Sequence, residues 1–307
     1  MRSSQPEREG PDDTGSSGAG AIMLGDARLL KPGPRRWARA LLWMVVLLIV
    51  EIAILSLQSI IASVRPDPDL RLAMAFICAI LAYGAYAFLV HWGEGRSASE
   101  IALRPALKEI AAGLAIGVAA MSVIIAILWL CGAYALSAAR WTDWAHDLRE
   151  AIGTGLLEEL LARLILFRLL MRAFGRAPAL LLSAIAFGAA HLGNDGATIF
   201  SSLAIAVEAG LMLAAFYVAS GRIWLSVGVH AGWNLAQGGI FGAAVSGFAS
   251  SGSLLKSVPV DTAPLWLSGG SFGPEASVVA VIVGLALFAA TMGFARRKSR
   301  RAMRSTA

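Results

Sequence analysis

Three short stretches hold the side chains able to do chemistry. Glu158 and Glu159 are adjacent and Arg163 follows four residues after the second, all within the apolar run Ala151 to Leu170. His191 closes the small-residue stretch that starts at Ser183, and His230 and Asn234 stand four apart in a third apolar run. An ionisable group in hydrocarbon costs about 2.5 kcal/mol or more, so it persists where it faces a protein interior or a water-filled site. On a helix, residues i and i+4 share a face, and Glu159 and Arg163 are expected to neutralise each other there. Glu158 points about 100° away. Among Leu156, Leu157, Leu160 and Leu161 it is left as a carboxylate without a local partner, which suits a general base. His191 could hold a water against Glu158 or ligate a metal. Asn234 can donate to a developing oxyanion, and His230 can do the same or act as a ligand. Water activated by Glu158 and the two histidines, with Asn234 at the tetrahedral intermediate, is chemistry for amide hydrolysis. The plainer readings are glutamates that only tie helices together and imidazoles bonded to backbone carbonyls.

The elements that must position these groups are apolar. Of 307 residues 57% are apolar and 15% charged, and the mean hydropathy is +0.69, which excludes a soluble globular domain. Eight apolar segments stand out, at about 40–63, 71–91, 110–136, 152–172, 177–193, 198–219, 223–247 and 275–295, several of them near the roughly 20 residues that cross a bilayer as helix. The expected fold is an all-α polytopic membrane bundle of about eight transmembrane helices. Its expected parts are a disordered tail over 1–35, a transmembrane domain over 36–298 with its catalytic core at about 150–240, and a basic tail over 299–307. The first apolar run is long enough to remain as a span, so no cleaved signal is expected.

With the N-terminus inside, the inner segments hold Arg28, Lys31, Arg35, Arg36, Arg39, Arg96, Arg104, Lys108, Arg172, Arg176, Arg222 and the run Arg296 to Arg304. The outer ones hold only Arg65, Arg71, Arg140, Arg149 and Lys256. The positive-inside rule then puts both termini in the cytoplasm. The net charge of +6 fits anionic lipid headgroups rather than nucleic acid. In that orientation Glu158 falls in the outer half of span four and His191 near the outer end of span five. His230 lies only about 10 Å along span seven from its inner end, so the three meet only if the spans are offset.

The runs Glu158-Glu159-Leu-Leu-Ala-Arg163, Phe187-Gly-Ala-Ala-His191 and His230-Ala-Gly-Trp-Asn234 match EExxxR, FxxxH and HxxxN in that order. They resemble the three motifs of the CPBP family, the CAAX-prenyl protease and bacteriocin-processing (Abi-type) intramembrane endopeptidases. Gly221 to Gly228 also resembles that family's approach to its third motif. The resemblance covers about Gly153 to Gly238. It implies proteolysis within the membrane, with Glu158 and His191 activating the water, Glu159 and Arg163 supporting them, and His230 and Asn234 at the oxyanion or substrate. It implies a peptide or protein substrate, lipid-modified in the prenylated branch of the family, and a multi-pass protein of a bacterial cytoplasmic membrane. Two mechanisms stay open: zinc held by Glu158, His191 and His230, for which HExxH is missing, and a metal-free glutamate mechanism. The alternative function is a non-catalytic transporter or substrate-binding protein that uses the same carboxylates for coupling.

Other residues receive plainer readings. Gly269 to Gly273 fits GxSxG, but no histidine follows it. Glu51 and Glu208 are carboxylates in apolar spans, Glu208 either lining a substrate cavity or making an interhelical bond. Arg168, Arg172 and Arg176 are expected to grip headgroups at a cytoplasmic helix end. His91 and His146 are read as interfacial, and so are Trp141, Trp144, Trp224 and Trp266. Cys78 and Cys131 are read as packing residues, and the Ser- and Gly-rich connection 248–274 as an interfacial flap.

Overall fold

The computed structural model describes residues 22–64, 68–142, 144–250 and 252–305. Long apolar runs without interior proline become helices: α1 (Arg36–Val64), α2 (Pro68–Leu89, prolonged by a π turn at Val90–Glu94) and α3 (Ala106–Leu130). One helical rod then covers residues 144–174, made of α4 (Trp144–Ile152), π turns at Gly153–Glu158 and Leu160–Phe167, and α5 (Arg168–Phe174). It is followed by α6 (Arg176–Ala190), α7 (Ile199–Ile205), a π turn at Ala206–Leu211 and α8 (Met212–Ser220). Then come α9 (Trp224–Asn234) with a π turn at Leu235–Ile240, the one-turn α10 (Leu265–Ser268) and α11 (Val278–Ser305). The only departure from helix among the described elements is an antiparallel pair, β1 (Tyr134–Ala138) and β2 (Leu255–Pro259), with Leu136 opposite Ser257.

The chain is an all-α membrane bundle. Six helices among the described residues are long and apolar enough to cross a bilayer: Arg36–Leu57, Leu70–Glu94, Ala106–Leu130, Arg176–Gly193, Ile199–Ser220 and Val278–Arg304. The expected count of about eight is not reached on this measure. The two remaining segments, 144–174 and 224–240, are charged in the first case and short in the second, and they carry the first and third motifs. The span Ile199–Ser220 lies at the centre, with 72% of its apolar window buried against 22–33% for the other five. Their outward side chains, such as Leu42, Ile49, Ile80 and Leu181, are exposed, as lipid-facing residues are.

Glycine fixes the closest helix contact. Gly113 and Gly117 of α3 face the backbone of Leu225 to Trp233, while Gly228 and Gly232 of α9 face Ile110 and Leu114. A Cβ at Gly232 would lie 2.5 Å from the Leu114 carbonyl oxygen, so only glycine lets α3 and α9 meet backbone to backbone. His230 is carried midway along this pair. The start of α9 is tucked inside the bundle: the Ile223 amide donates to the Glu100 carbonyl and Trp224 Nε1 donates to the Ala102 carbonyl. Trp224 also stacks on Tyr83 with ring centres 5.6 Å apart, and it is buried rather than interfacial. The entry to α9 is therefore tied to the connection between α2 and α3.

Of the tail expected over 1–35, residues 1–21 lie outside the described residues. The stretch from Ile22 is packed: Leu30 is buried in the core, and Arg172 donates to the carbonyls of Gly25 and Leu30. The arginine series is a second correction. Arg168 does not reach headgroups but is fully buried in a fork to Glu94, at 2.9 and 2.7 Å; Arg176 is exposed as expected. Arg96 binds both Glu94 and Glu100, and Tyr86 donates to Glu100. Burial pushes the Glu100 carboxyl up, but the Arg96 hydrogen bonds and the Arg168 charge outweigh it and hold that group below the usual carboxylate range. Cys78 is buried, whereas Cys131 is exposed at the end of α3.

Candidate active site

The wide i→i+5 turns on the 144–174 rod rotate less per residue than an α-helix, and such turns recur at functional sites. Here they set two neighbouring carboxylates against one imidazole. Glu159 Oε1 lies 3.2 Å from His230 Nδ1, and Glu158 Oε2 lies 3.9 Å from His230 Nε2. Glu158 has no bonded partner on its own rod, and the imidazole that approaches it comes from α9 across the bundle. A carboxylate only accepts, so Nδ1 of His230 carries the proton shared with Glu159.

The Glu159–Arg163 pair forms as the i, i+4 spacing requires, with Nε to Oε2 at 2.9 Å and Nη2 to Oε1 at 3.1 Å, both side chains being fully buried. Arg163 also donates to the carbonyls of Ala209 and Gly210 in the central span, and its guanidinium lies 5.0 Å from the centre of the Phe187 ring. Phe187 in turn packs against both imidazoles, at 4.9 Å from His191 and 6.3 Å from His230. Every donor direction of Arg163 that matters to burial is thus answered, which is the condition for an ion pair to be kept inside a bundle.

His191 Nδ1 lies 2.8 Å from the Phe187 carbonyl, so this nitrogen donates and Nε2 keeps its lone pair. The close approach that holds α6 comes from Gly188, whose Cβ would strike Ser202 and Ala206, and from the Ser202 hydroxyl donating to the Gly188 carbonyl at 2.5 Å. Asn234 Nδ2 donates to Thr154 Oγ1 at 2.9 Å, and Thr154 donates to the Glu150 carbonyl. The Asn234 amide is thereby fixed to the rod that bears Glu158.

Glu158, His191, His230 and Asn234 all line one cavity of about 770 Å³, within the range of sites that enclose a small ligand or peptide side chains. Its polar part is lined by His146, Asp147, Glu150, Thr154, Asn194 and Ser246, and its apolar part by Leu48, Leu161, Leu166, Ala186 and Phe187. Glu158 is half-buried, its side chain 36% exposed, while Glu159 has no exposure. His146 thus belongs to the cavity rather than to a bare interface, whereas His91 is exposed.

Behind His191 and His230 lies a second cavity of about 20 Å³ lined by Glu208, Glu275 and Trp233, room for about one water. Trp233 Nε1 is buried there without a protein acceptor. Glu275 Oε1 accepts from the Ser246 amide and hydroxyl at 2.5 and 2.8 Å, and Asn194 donates to the Ser246 carbonyl. Burial pushes the Glu275 carboxyl up from its ordinary value against the pull of those Ser246 bonds. Glu208 is buried on this cavity rather than on the large one. Thr154, Ser246 and Glu275 carry no sequence signal as a set, since their positions span 121 residues and only the fold unites them. Ser271 of the GxSxG match is an exposed loop residue beside Gly196.

Among the described residues no three His, Cys, Asp or Glu side chains are grouped about one possible ion position. One nitrogen of each histidine is engaged, that of His191 with a carbonyl and that of His230 with Glu159.

Residues 140–236 match the family model described as Rce1-like, type II CAAX prenyl endopeptidase Rce1-like. No curated protein and no solved structure matches the chain. The matched segment contains all three motifs and most of the cavity lining, while Leu48 of α1 and the lining residues from Gly238 to Ser250 fall outside it. Over that segment the chain is similar to the Rce1-like CAAX endopeptidases, as the three motifs implied.

Proposed function

We propose that this protein is an intramembrane endopeptidase in which Glu158 and His191 activate a water molecule against a substrate peptide bond. The observation that carries the reading is the convergence of Glu158, His191, His230 and Asn234, from three separate helices, on one cavity. In the reaction, the water oxygen attacks the carbonyl carbon while Glu158 accepts its proton, and the lone pair of His191 Nε2 holds the second hydrogen. Negative charge develops on the carbonyl oxygen, where the Asn234 amide is a donor, and where Nε2 of His230 donates as well when the ring is protonated at both nitrogens with Glu159 holding the Nδ1 proton. Glu158 then returns the proton to the amide nitrogen, the C–N bond breaks, and a carboxylic acid and an amine leave. Glu159 and Arg163 act through His230 and are positioning residues.

The proposal needs no metal, and the arrangement of donors supports that form over the zinc form. The membrane is taken to be a bacterial cytoplasmic membrane, with both termini in the cytoplasm. The substrate is a peptide or protein, and the apolar part of the cavity suits one that carries an apolar or lipid-modified side chain.

The test is cleavage of a reporter peptide library by the purified full chain in lipid nanodiscs. Glu158→Gln is expected to lower turnover by about 10²- to 10⁴-fold with unchanged thermal melting, and a chelator is expected to leave turnover unchanged. Stoichiometric zinc with chelator-sensitive cleavage would overturn the metal-free form. Solute uptake lost in Glu158→Gln, with no cleavage by the native chain, would favour the transporter instead.

A further inference from the structure

The two ends of the bundle differ in charge, and the cavity belongs to one of them. At the basic end, Arg28 donates to the His91 and Trp92 carbonyls, Arg172 donates to Gly25 and Leu30, and Arg222 pairs with Glu109. These bonds join the start of α1, the end of α2, the start of α3, the end of α5 and the entry to α9 at one level. Arg176 follows at the α5–α6 turn. At the opposite end, β1 pairs with β2, Asn194 holds Ser246, the Gly247 amide donates to the Phe272 carbonyl, and Glu275 holds Ser246. The ends of α3, α6 and α9 and the start of α11 meet there. From Val278, α11 needs 18 residues to reach Arg296, about 27 Å of helix, which is nearly the thickness of the hydrocarbon core. The Arg296 to Arg304 run therefore lies a membrane's width from Glu275.

The polar lining of the 770 Å³ cavity, at His146, Glu150, Thr154, Asn194, Ser246 and Ser250, is drawn from the second end. The described basic residues of that end are Arg71, Arg140, Arg149 and Lys256, and Arg149 is paired with Glu150 at 2.7 Å. The positive-inside rule counts lysine and arginine close to span ends, and by that count the basic end is cytoplasmic. We propose that the cavity mouth opens on the non-cytoplasmic side, so that the enzyme takes a peptide segment presented at the outer leaflet or beyond it. The substrate half of this statement rests on the endopeptidase reading; the sidedness does not. A carboxy-terminal tail confined to the cytoplasm would have to cross most of the bilayer to reach Glu158.

Two single-cysteine variants of the full chain test it, made in a Cys131→Ser background that removes the exposed native thiol: Ala249→Cys at the mouth and Ser299→Cys in the basic run, both exposed positions. Cells with sealed membranes are treated with a membrane-impermeant maleimide before and after permeabilisation. The proposal expects Ala249→Cys to label in intact cells and Ser299→Cys only after permeabilisation. The reverse pattern, or labelling of both variants from the same side, overturns it. A membrane-impermeant peptide added to sealed vesicles of each orientation then reads the substrate half. Cleavage only where the mouth faces the added peptide supports it, and cleavage only in the inverted orientation overturns it. Absence of cleavage in both orientations and in detergent-opened vesicles defeats the endopeptidase reading while the labelling result stands.

Discussion

Two clusters of buried charge occupy opposite halves of the bundle and reach opposite conditions. At the basic end Glu94, Glu100, Arg96 and Arg168 saturate one another: the Glu94–Arg168 fork is complete, Trp43 and Tyr86 add donors, and all but Arg96 are sealed from solvent. In the cavity Glu159 and Arg163 are equally saturated, but Glu158 meets only the far nitrogen of His230 at 3.9 Å and stays half-open. The same residue types thus make a clamp in one place and an unfinished set in the other. Burial alone does not mark a site. A charged group whose partners stop short of satisfying it, next to space for a substrate, does.

The contrast can be broken from either side. The largest expected effect on the fold is Arg168→Ala, which removes the two-bond fork from buried Glu94, leaves it only Arg96 and Trp43, and should cost about 3–5 kcal/mol. Thermal or denaturant unfolding in detergent should show the loss, with Glu158→Gln as the comparison that leaves stability intact. Asn234→Ala should act the other way round, lowering kcat by about 10²-fold or more with a melting temperature close to native. If it changes KM alone, the amide serves ground-state binding rather than the oxyanion. The smallest effect sharpens the clamp. Glu100 is held below the usual carboxylate range, so its stabilising contribution is complete above the ordinary value of about 4.3 and disappears as pH falls through the lower folded value. Glu100→Gln should flatten that acid limb of the stability profile, measured by unfolding across mildly to strongly acidic buffers, while the native chain retains it.

Much of this was legible in the chain. The i, i+4 rule gave the Glu159–Arg163 pair, and hydropathy gave the membrane bundle. The three motifs named Glu158, Phe187, His191, His230 and Asn234 among the residues that line the cavity. What failed did so for identifiable reasons. Periodicity assumes 100° per residue, an assumption that the π turns at Gly153–Glu158 and Leu160–Phe167 break. Trp224 reads as interfacial because its partners, Tyr83 and the Ala102 carbonyl, lie more than 100 residues away in the chain. Arg168 looked like a headgroup anchor because its partner, Glu94, lies 74 residues away in another helix. Serine 246 and glutamate 275 entered no motif, since a strap between a loop and a distant helix entry leaves no local pattern.

The π turns have one more consequence. Each wide turn stores an extra residue relative to an α-helical path of the same length, so the facing of Glu158 is a matter of backbone count as well as of side-chain identity. Removing one residue between 164 and 167 would let that stretch relax to an α-helical path of the same length, so Glu158 would keep its facing and every motif residue would remain in the chain. Tightening the same turn to ordinary pitch with every residue kept would instead rotate everything upstream of it around the rod axis and aim Glu158 away from the imidazoles, a change of facing with no change of composition.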